Sequence, residues 1–203
     1  MIVRAVILDI GGIVIQYSFA PAVRIWSEVT GINVSGLIDR FRGDTELERF
    51  ERNEISGEEF YSHVCEMTGL TLSYEDFLRG WNGIFLGLTP GIEALLVTLK
   101  EHTRIIGLSN SNSIHTPLWK EKYRRALSHF ERIFTSDEIG VRKPEPLAYG
   151  AVLDYLGEEP ERVAFVDDDP VNVEGACALR MHALVGKSSE QIGRYLRTFG
   201  LLA

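Results

Sequence analysis

Short apolar segments that alternate with helical patterns constrain the fold of this chain more than any other feature. The first strand-like segment extends from Val3 to Leu8, and four more lie late in the chain, at Arg104 to Leu108, Arg132 to Thr135, Arg162 to Val166 and His182 to Val185. Strands that alternate with helices require crossover connections, which produce a parallel sheet. We therefore expect an α/β fold with a doubly wound, Rossmann-like sheet.

The helices between the late strands have recognisable start signals. Thr89-Pro90 and Thr116-Pro117 each place an N-cap residue before a proline at the first helical position. Apolar residues then repeat with helical spacing after the first of these signals, at Ile92, Leu95, Leu96 and Leu99. These patterns supply the crossover helices that a parallel sheet needs.

The stretch from about residue 20 to 85 breaks this alternation because it contains helical patterns only. The patterns extend over Ala22 to Val29, Leu37 to Phe41, Leu47 to Arg52, Glu58 to Met67 and Tyr74 to Phe85. A helical insert therefore follows the first strand, and we interpret it as a small mobile cap over the sheet. The predicted division places the core at residues 1–16 and 87–203 and the cap at residues 17–86.

Polar side chains follow four of the predicted strands. Asp9 follows the first strand, Ser109 and Asn110 follow the second, and Asp167–Asp169 follow the fourth. Lys143 lies a few residues after the third strand. Ligands of an open parallel sheet bind outside the carboxyl ends of its strands, so we expect these side chains to converge at one edge.

The acidic residues at this edge indicate a metal site. Three consecutive carboxylates at 167–169, facing Asp9, would repel one another in a partly desolvated cleft unless a cation lay among them. Mg²⁺ suits such a site because it takes one or two carboxylates and leaves other positions to water and a substrate phosphate. Asp9 is then a candidate nucleophile toward phosphorus, and Gly11-Gly12 lets main-chain groups approach the ion. Ser109-Asn110 and Lys143 are candidates for binding the phosphate.

Four motifs resemble those of the haloacid dehalogenase superfamily and occur in the same order. They are LDIGG with Asp9, GLSNSN with Ser109, VRKPEPLAY with Lys143 and FVDDDPVNVEGA with Asp168. The resemblance spans nearly the whole chain, and the helical insert lies where that superfamily places its first type of cap. It implies a Mg²⁺-dependent phosphatase that acts on a small phosphorylated metabolite through an aspartyl-phosphate intermediate.

The resemblance also implies a role for each matching residue. Asp9 would be the nucleophile, and Ser109 and Lys143 would bind the phosphate. The metal ligands would be Asp9, Asp168 and the backbone carbonyl of Gly11.

One position departs from the superfamily pattern. Phosphatases of this superfamily usually carry a second aspartate two residues after the nucleophile, as general acid for the leaving group and base for water, and that position is Gly11 here. General acid–base catalysis contributes roughly 10² to 10⁴ in rate. Its loss favours a better leaving group than a simple alkoxide, or a proton supplied by a cap residue or an ordered water. The segments SNSNSIHTPLW and SDEIGVRKPEPLAY resemble a bacterial glucose-1-phosphate phosphatase-like subgroup, which fits an anomeric leaving oxygen.

Composition excludes several other classes of protein. The net charge is -8 and there is no dense cluster of Lys and Arg, so we do not expect a nucleic-acid partner. No apolar stretch approaches the roughly 18 residues that cross a bilayer, and no signal sequence precedes the first strand, so we expect no membrane association and a cytoplasmic location.

Three other functions stay open at this stage. A phosphomutase is one of them, but its activity depends on the acid that is missing at Gly11. A 2-haloacid dehalogenase would use Asp9 to attack carbon without a metal, which the acidic cluster at 167–169 disfavours. A binding protein could keep the fold without turnover, and Gly11 is the feature that supports it. His115 and Trp119 either face the cleft or pack the junction between cap and core. The charged cap segment Phe50-Glu51-Arg52 is expected to be a solvated helix face.

Overall fold

The computed structural model describes residues 2–33 and 36–202, apart from the side chains of residues 37 and 38. The strands are β1 (Ala5–Leu8), β2 (Ile15–Tyr17), β3 (Phe85–Leu88), β4 (Arg104–Ser109), β5 (Arg132–Thr135), β6 (Val163–Asp167) and β7 (His182–Val185). The first five helices are α1 (Ala20–Thr30), α2 (Leu37–Phe41), α3 (Thr45–Glu51), α4 (Gly57–Thr68) and α5 (Tyr74–Asn82). The later helices are α6 (Ile92–Lys100), α7 (His115–Lys122), α8 (Arg124–Leu127), α9 (Ser136–Ile139), α10 (Pro146–Leu156), α11 (Pro170–Ala178) and α12 (Ser189–Arg197), with a 3₁₀ turn at Pro160–Arg162.

The main sheet has five parallel strands in the order β5-β4-β1-β6-β7. These are the five strands that the apolar segments predicted, and the α/β fold class is confirmed. All four residues of β1 are fully buried, because this strand lies at the centre of the sheet with helices on both faces. From β1 the chain continues to β4 on one side and later to β6 on the other. The carboxyl end of β1 therefore lies where the strand order reverses, which is where such sheets bind ligands.

Alternate residues of β1 face opposite sides of the sheet and enter two different hydrophobic clusters. Val6 and Leu8 pack in the cluster that contains α6 and α12 residues such as Leu96 and Leu196. Ala5 and Ile7 pack in the cluster on the other face, with α10 and α11 residues that include Tyr149, Val152 and Val173. This double-sided burial holds the strand that ends in Asp9.

Helices α1 to α5 enclose a separate aromatic cluster. Five of its aromatic members are at most 1% exposed: Trp26, Phe50, Phe60, Phe77 and Trp81. Phe50 stacks on Phe60 at 4.6 Å between ring centroids, and Phe77 stacks on Trp81 at 5.9 Å. The insert thus has apolar contacts of its own, while the division of the chain at residues 17 and 86 stays a prediction. Across the described residues, none of the helices combines the length and the apolar character needed to cross a membrane.

A short antiparallel ribbon of β2 and β3 connects the insert to the sheet, and the sequence patterns did not predict it. Tyr17 pairs with Phe85 in this ribbon, with a register shift beside Gln16. The helix expected from Tyr74 to Phe85 consequently ends at Asn82, and Gly83 follows as its C-cap.

Two predicted helix starts are also displaced. The helix after Thr89-Pro90 begins at Ile92, because Gly91 adopts φ 76° and forms the N-cap in place of Thr89. Helix α7 begins one residue before Thr116. There Asn112 Oδ1 accepts from the His115 amide and so replaces the predicted threonine cap.

Candidate active site

The nucleophile candidate Asp9 lies directly beyond the end of β1. Its amide donates to Val166 O at 2.9 Å, which continues the ladder with β6 by one residue. Its side chain folds back so that Oδ1 accepts from the Ile10 amide at 2.8 Å. Asp9 is 7% exposed, so a carboxylate is held at the tip of a buried strand as the sequence predicted.

Lys143 is buried between two carboxylates. Its Nζ lies 2.8 Å from Asp9 Oδ1 and 2.6 Å from Asp167 Oδ2, and the side chain is 1% exposed. The ammonium group also lies 5.7 Å from the centre of the Phe165 ring. One cation thus bridges the ends of β1 and β6.

Asn110 positions the backbone that carries this lysine. The Lys143 amide donates to Asn110 Oδ1 at 2.8 Å, and Asn110 Nδ2 donates to Lys143 O at 2.9 Å. We predicted Asn110 as a substrate-binding residue, and the structure places both polar atoms of its side chain on the Lys143 backbone. Ser109, the last residue of β4, is 5% exposed at the same edge of the sheet.

The three consecutive aspartates after β6 have different surroundings. Asp167 is fully buried and also accepts from Asn172 Nδ2 at 3.1 Å. Asp169 caps α11 by accepting from the Val171 amide. Asp168 and Asp169 are exposed, and a carboxylate oxygen of Asp168 lies close to those of Asp9 and Asp167.

Asp9, Asp167 and Asp168 form a group that fits a divalent cation. One carboxylate oxygen of each lies within 4.8 Å of the others, and the donor set consists of oxygen atoms only. Gly12 has φ 74°, and a Cβ added there would overlap the Asp168 carboxyl group. The glycine therefore keeps this side of the cluster open for Asp168.

The charges in the cluster do not balance without a cation. Burial raises the pKa of the Asp9 carboxyl to about 8, opposed by Lys143 and reinforced by Asp167 and Asp168. Burial and the neighbouring Asp167 also raise the pKa of Asp168. Lys143 stays charged, because the two carboxylates raise its pKa although burial acts against them. A divalent cation would relieve the repulsion that remains among three carboxylates and one ammonium group.

Comparison with known proteins identifies the family. The profile of the haloacid dehalogenase-like hydrolases matches residues 3–179. The chain belongs to this hydrolase family. It is 19% identical over 176 residues to D-ribitol-5-phosphate phosphatase of Bacteroides thetaiotaomicron, a match that covers 84% of this chain and 85% of the relative.

Solved structures of the family share the fold. A haloacid dehalogenase family enzyme from Bacteroides thetaiotaomicron superposes with a TM-score of 0.83 at 24% identity, over 97% of this chain and 100% of that chain. The wild-type form of that enzyme in complex with magnesium and inorganic phosphate gives a TM-score of 0.78 at 26% identity, over 92% and 95% of the two chains. The family resemblance drawn from the four motifs is confirmed.

In this hydrolase, His115 packs the junction with the insert, and Trp119 lies in the core cluster that contains α6 and α12 residues. The His115 ring stacks on Trp81 of the insert at 4.8 Å, and its Nε2 lies 2.9 Å from Trp81 O. Trp119 Nε1 donates to Ser111 Oγ at 3.1 Å. Of the two interpretations that the sequence left open, packing at the junction is the one observed for His115.

The segment expected to be a solvated helix face instead contacts the loop that carries Lys143. Arg142 Nε donates to Glu51 Oε2 at 2.7 Å, and Arg52 Nε donates to Glu145 Oε1 at 2.9 Å. Arg142 also lies 3.2 Å from Glu48. We call these crossed ion pairs the cap clasp. The opposite charges that flank Lys143 are the only sequence signal for it, and no local pattern links them to α3.

Proposed function

We propose that this chain is a Mg²⁺-dependent phosphatase that hydrolyses a small phosphorylated sugar or polyol through a phosphorylated Asp9. The observation that carries the proposal is one buried lysine in contact with two strand-end carboxylates, with Asp168 beside them. Such a cluster suits a hard cation and a phosphoryl group together. The predicted phosphatase class is borne out by the family and the phosphatase relative, and the predicted cofactor by a relative solved with magnesium.

Asp9 and Lys143 perform the covalent step in this proposal. An oxygen of Asp9 forms a bond to phosphorus while the bond from phosphorus to the leaving oxygen breaks. The contact of Oδ1 with the Ile10 amide fixes the orientation of the carboxylate for this attack. Lys143 lowers the repulsion between Asp9 and the phosphoryl oxygens, and Ser109 donates a hydrogen bond to one of these oxygens. Water then hydrolyses the acyl phosphate and releases inorganic phosphate.

The residues around the cluster would hold the metal. Asp9, Asp168 and the backbone carbonyl of Gly11 are the proposed ligands, as the superfamily resemblance implied. When bound, Mg²⁺ supplies positive charge that offsets the repulsion between the nucleophile and the phosphate. Asp167 already accepts hydrogen bonds from Lys143 and Asn172, so in this proposal it holds Lys143 in position and is not a metal ligand.

Phosphate release from a panel of small phosphomonoesters tests the activity. The panel contains glucose 1-phosphate, which the sequence resemblance suggests, ribitol 5-phosphate, which the phosphatase relative suggests, and glucose 6-phosphate. Each is assayed with Mg²⁺ and with a chelator in excess. We expect Mg²⁺-dependent release that Asp9→Asn abolishes. Asp154→Asn, an exposed aspartate on α10, is the matched control and should keep full activity.

Other outcomes would point to the alternative functions. Chloride release from a 2-haloacid, unaffected by the chelator, would indicate a dehalogenase. Absence of turnover on the whole panel, with the fold intact by circular dichroism, would indicate a binding protein. The ratio of activities on the 1-phosphate and the 5-phosphate then identifies the preferred leaving group.

A further inference from the structure

Tyr17 lies where a side chain at position 11 would extend. A Cβ built on Gly11 would be 3.5 Å from Tyr17 Cε1 and 3.6 Å from Cδ1, which is ordinary van der Waals contact. Cε1 is the ring carbon next to the one that carries the hydroxyl group. The phenol therefore covers the space beside the nucleophile that the glycine leaves open.

The ring is held in this place from two directions. Tyr17 ends β2 and pairs with Phe85 across the ribbon, and the next amide, that of Ser18, donates to Ile84 O at 2.9 Å. The Phe19 ring meets the Tyr17 ring edge to face, with centroids 6.2 Å apart and planes at 89°. Phe19 in turn packs on the aromatic cluster of the insert.

The hydroxyl group is available to a substrate. Tyr17 is 43% exposed, and within residues 2–33 and 36–202 its hydroxyl makes no hydrogen bond. Burial of part of the ring raises the pKa of Tyr17 to about 12, and the charges of Asp168, Asp9, Asp167 and Asp169 add to this effect. The phenol consequently keeps its proton at neutral pH and faces the acidic cluster as a neutral donor.

Two side-chain donors near Asp9 already have partners. Lys143 contacts Asp9 and Asp167, and the Asn172 amide contacts Asp167. When the bond from phosphorus to the leaving oxygen breaks, the electron pair stays on that oxygen. A donor that is not already paired with these carboxylates is then needed to stabilise the negative charge that develops on the leaving oxygen.

We propose that Tyr17 donates a hydrogen bond to the leaving oxygen and so takes the place of an acid at position 11. The inference rests on the proposed phosphatase function. The bond between phosphorus and the leaving oxygen breaks as Asp9 bonds to phosphorus, and the leaving oxygen takes its proton from a water molecule. The hydroxide that remains attacks the phosphorylated Asp9, and phosphate leaves with that oxygen atom. Tyr17 stays protonated throughout and acts as a hydrogen-bond donor.

Two substrates with different leaving groups test this role. The preferred sugar or polyol phosphate has an alkoxide leaving group, whereas p-nitrophenyl phosphate has one that is already stabilised by its ring. We expect Tyr17→Phe to lower kcat/KM on the sugar or polyol phosphate by about 100-fold, in the range of a lost acid or oxyanion donor. Its activity on p-nitrophenyl phosphate should remain close to that of the wild type.

The second substrate also shows that the variant is folded and binds metal. Tyr155→Phe is the matched control. Tyr155 is also a partly exposed tyrosine, but it is remote from the acidic cluster, and its hydroxyl group donates to Glu131. The Tyr155→Phe variant should keep the wild-type activity on both the sugar or polyol phosphate and p-nitrophenyl phosphate. A series of aryl phosphates should give a steeper dependence of kcat/KM on leaving-group pKa for Tyr17→Phe than for the wild type.

The possible outcomes distinguish failure of the Tyr17 role from failure of the proposed phosphatase function. If the wild type releases no phosphate from either substrate with Mg²⁺, the phosphatase function is wrong and the role of Tyr17 with it. If the wild type is active and Tyr17→Phe loses the same factor on both substrates, or loses nothing, the leaving-group role alone is refuted.

Discussion

His115 provides a sharp test of how the core is packed against the insert. Its ring is 6% exposed and stacked on Trp81, its Nε2 donates to Trp81 O, and its Nδ1 lies 3.3 Å from Asn112 Nδ2. The amide of Asn112 can donate only to a neutral imidazole. Protonation would place a second N–H against that amide and a charge in an apolar contact. We therefore expect acid to destabilise the protein through this residue.

The size of the effect follows from the pKa. Burial lowers the pKa of His115 from 6.5 to about 4, with the Trp81 carbonyl acting in the opposite direction. Above the pKa of the unfolded state, His115 is neutral in both the folded and the unfolded chain, and the free energy of unfolding is not reduced. As the pH falls below 6.5, His115 becomes protonated in the unfolded chain but stays neutral in the folded chain. The free energy of unfolding therefore decreases until the pH reaches the pKa of the folded state. At about 1.4 kcal/mol per pKa unit the complete loss is about 3 kcal/mol, of which about 2 kcal/mol is present at pH 5.

Urea unfolding of the wild type and His115→Gln measures this loss. Glutamine can still donate to Trp81 O but cannot be protonated. At about pH 7.5 the variant should be the less stable protein because the ring stack is gone, and at about pH 5 the difference should shrink by about 2 kcal/mol. Taking the difference between the two proteins removes the contributions of all other titrating groups. An equal stability difference at both pH values would refute the reasoning.

Three further substitutions have defined outcomes. Gly12→Ala forces a Cβ against the Asp168 carboxyl group, so we expect Mg²⁺ affinity, measured by titration calorimetry, to fall by about 10- to 100-fold; an unchanged affinity would contradict the proposed ligand. Arg142→Gln removes the ion-pair partner of the mostly buried Glu51 carboxylate, so we expect the free energy of unfolding in urea to fall by about 1 kcal/mol. We also expect KM to rise by a larger factor than kcat falls. A KM and a stability identical to those of the wild type would argue against the cap clasp. Gly80→Ala drives a methyl group into the Trp26 indole and should cost about 1–3 kcal/mol by thermal unfolding, whereas Gly150→Ala, where a Cβ meets open space, should cost nothing.

The sheet and the acidic cluster were predictable from the sequence because both depend on strong, local signals. A strand buried on both faces must be apolar throughout, so β1 and β6 stand out as continuous runs. Parallel strands end at a common edge, so polar residues that follow them must meet there. The contact of Lys143 with Asp9 and Asp167 is the consequence, although these residues are far apart in the chain.

The features that could not be predicted depend on how the insert lies against the core. The ribbon of β2 and β3 has three and four residues, too few for a periodic pattern to develop, and its pairing joins residues on opposite sides of the insert. Tyr17 and the cap clasp follow from that placement. At Thr89-Pro90 a strong start signal was overridden by the next residue, because Gly91 adopts a positive φ and forms the N-cap.

The cap clasp has a consequence for any attempt to exchange specificity between relatives. Arg142 and Glu145 belong to the same short peptide as the buried Lys143, and they pair with Glu51 and Arg52 of the insert. A foreign insert without these acidic and basic partners would leave unpaired charges next to the candidate active site. Transplanting substrate preference onto this scaffold therefore requires that α3 and the 142–145 peptide be moved as one unit.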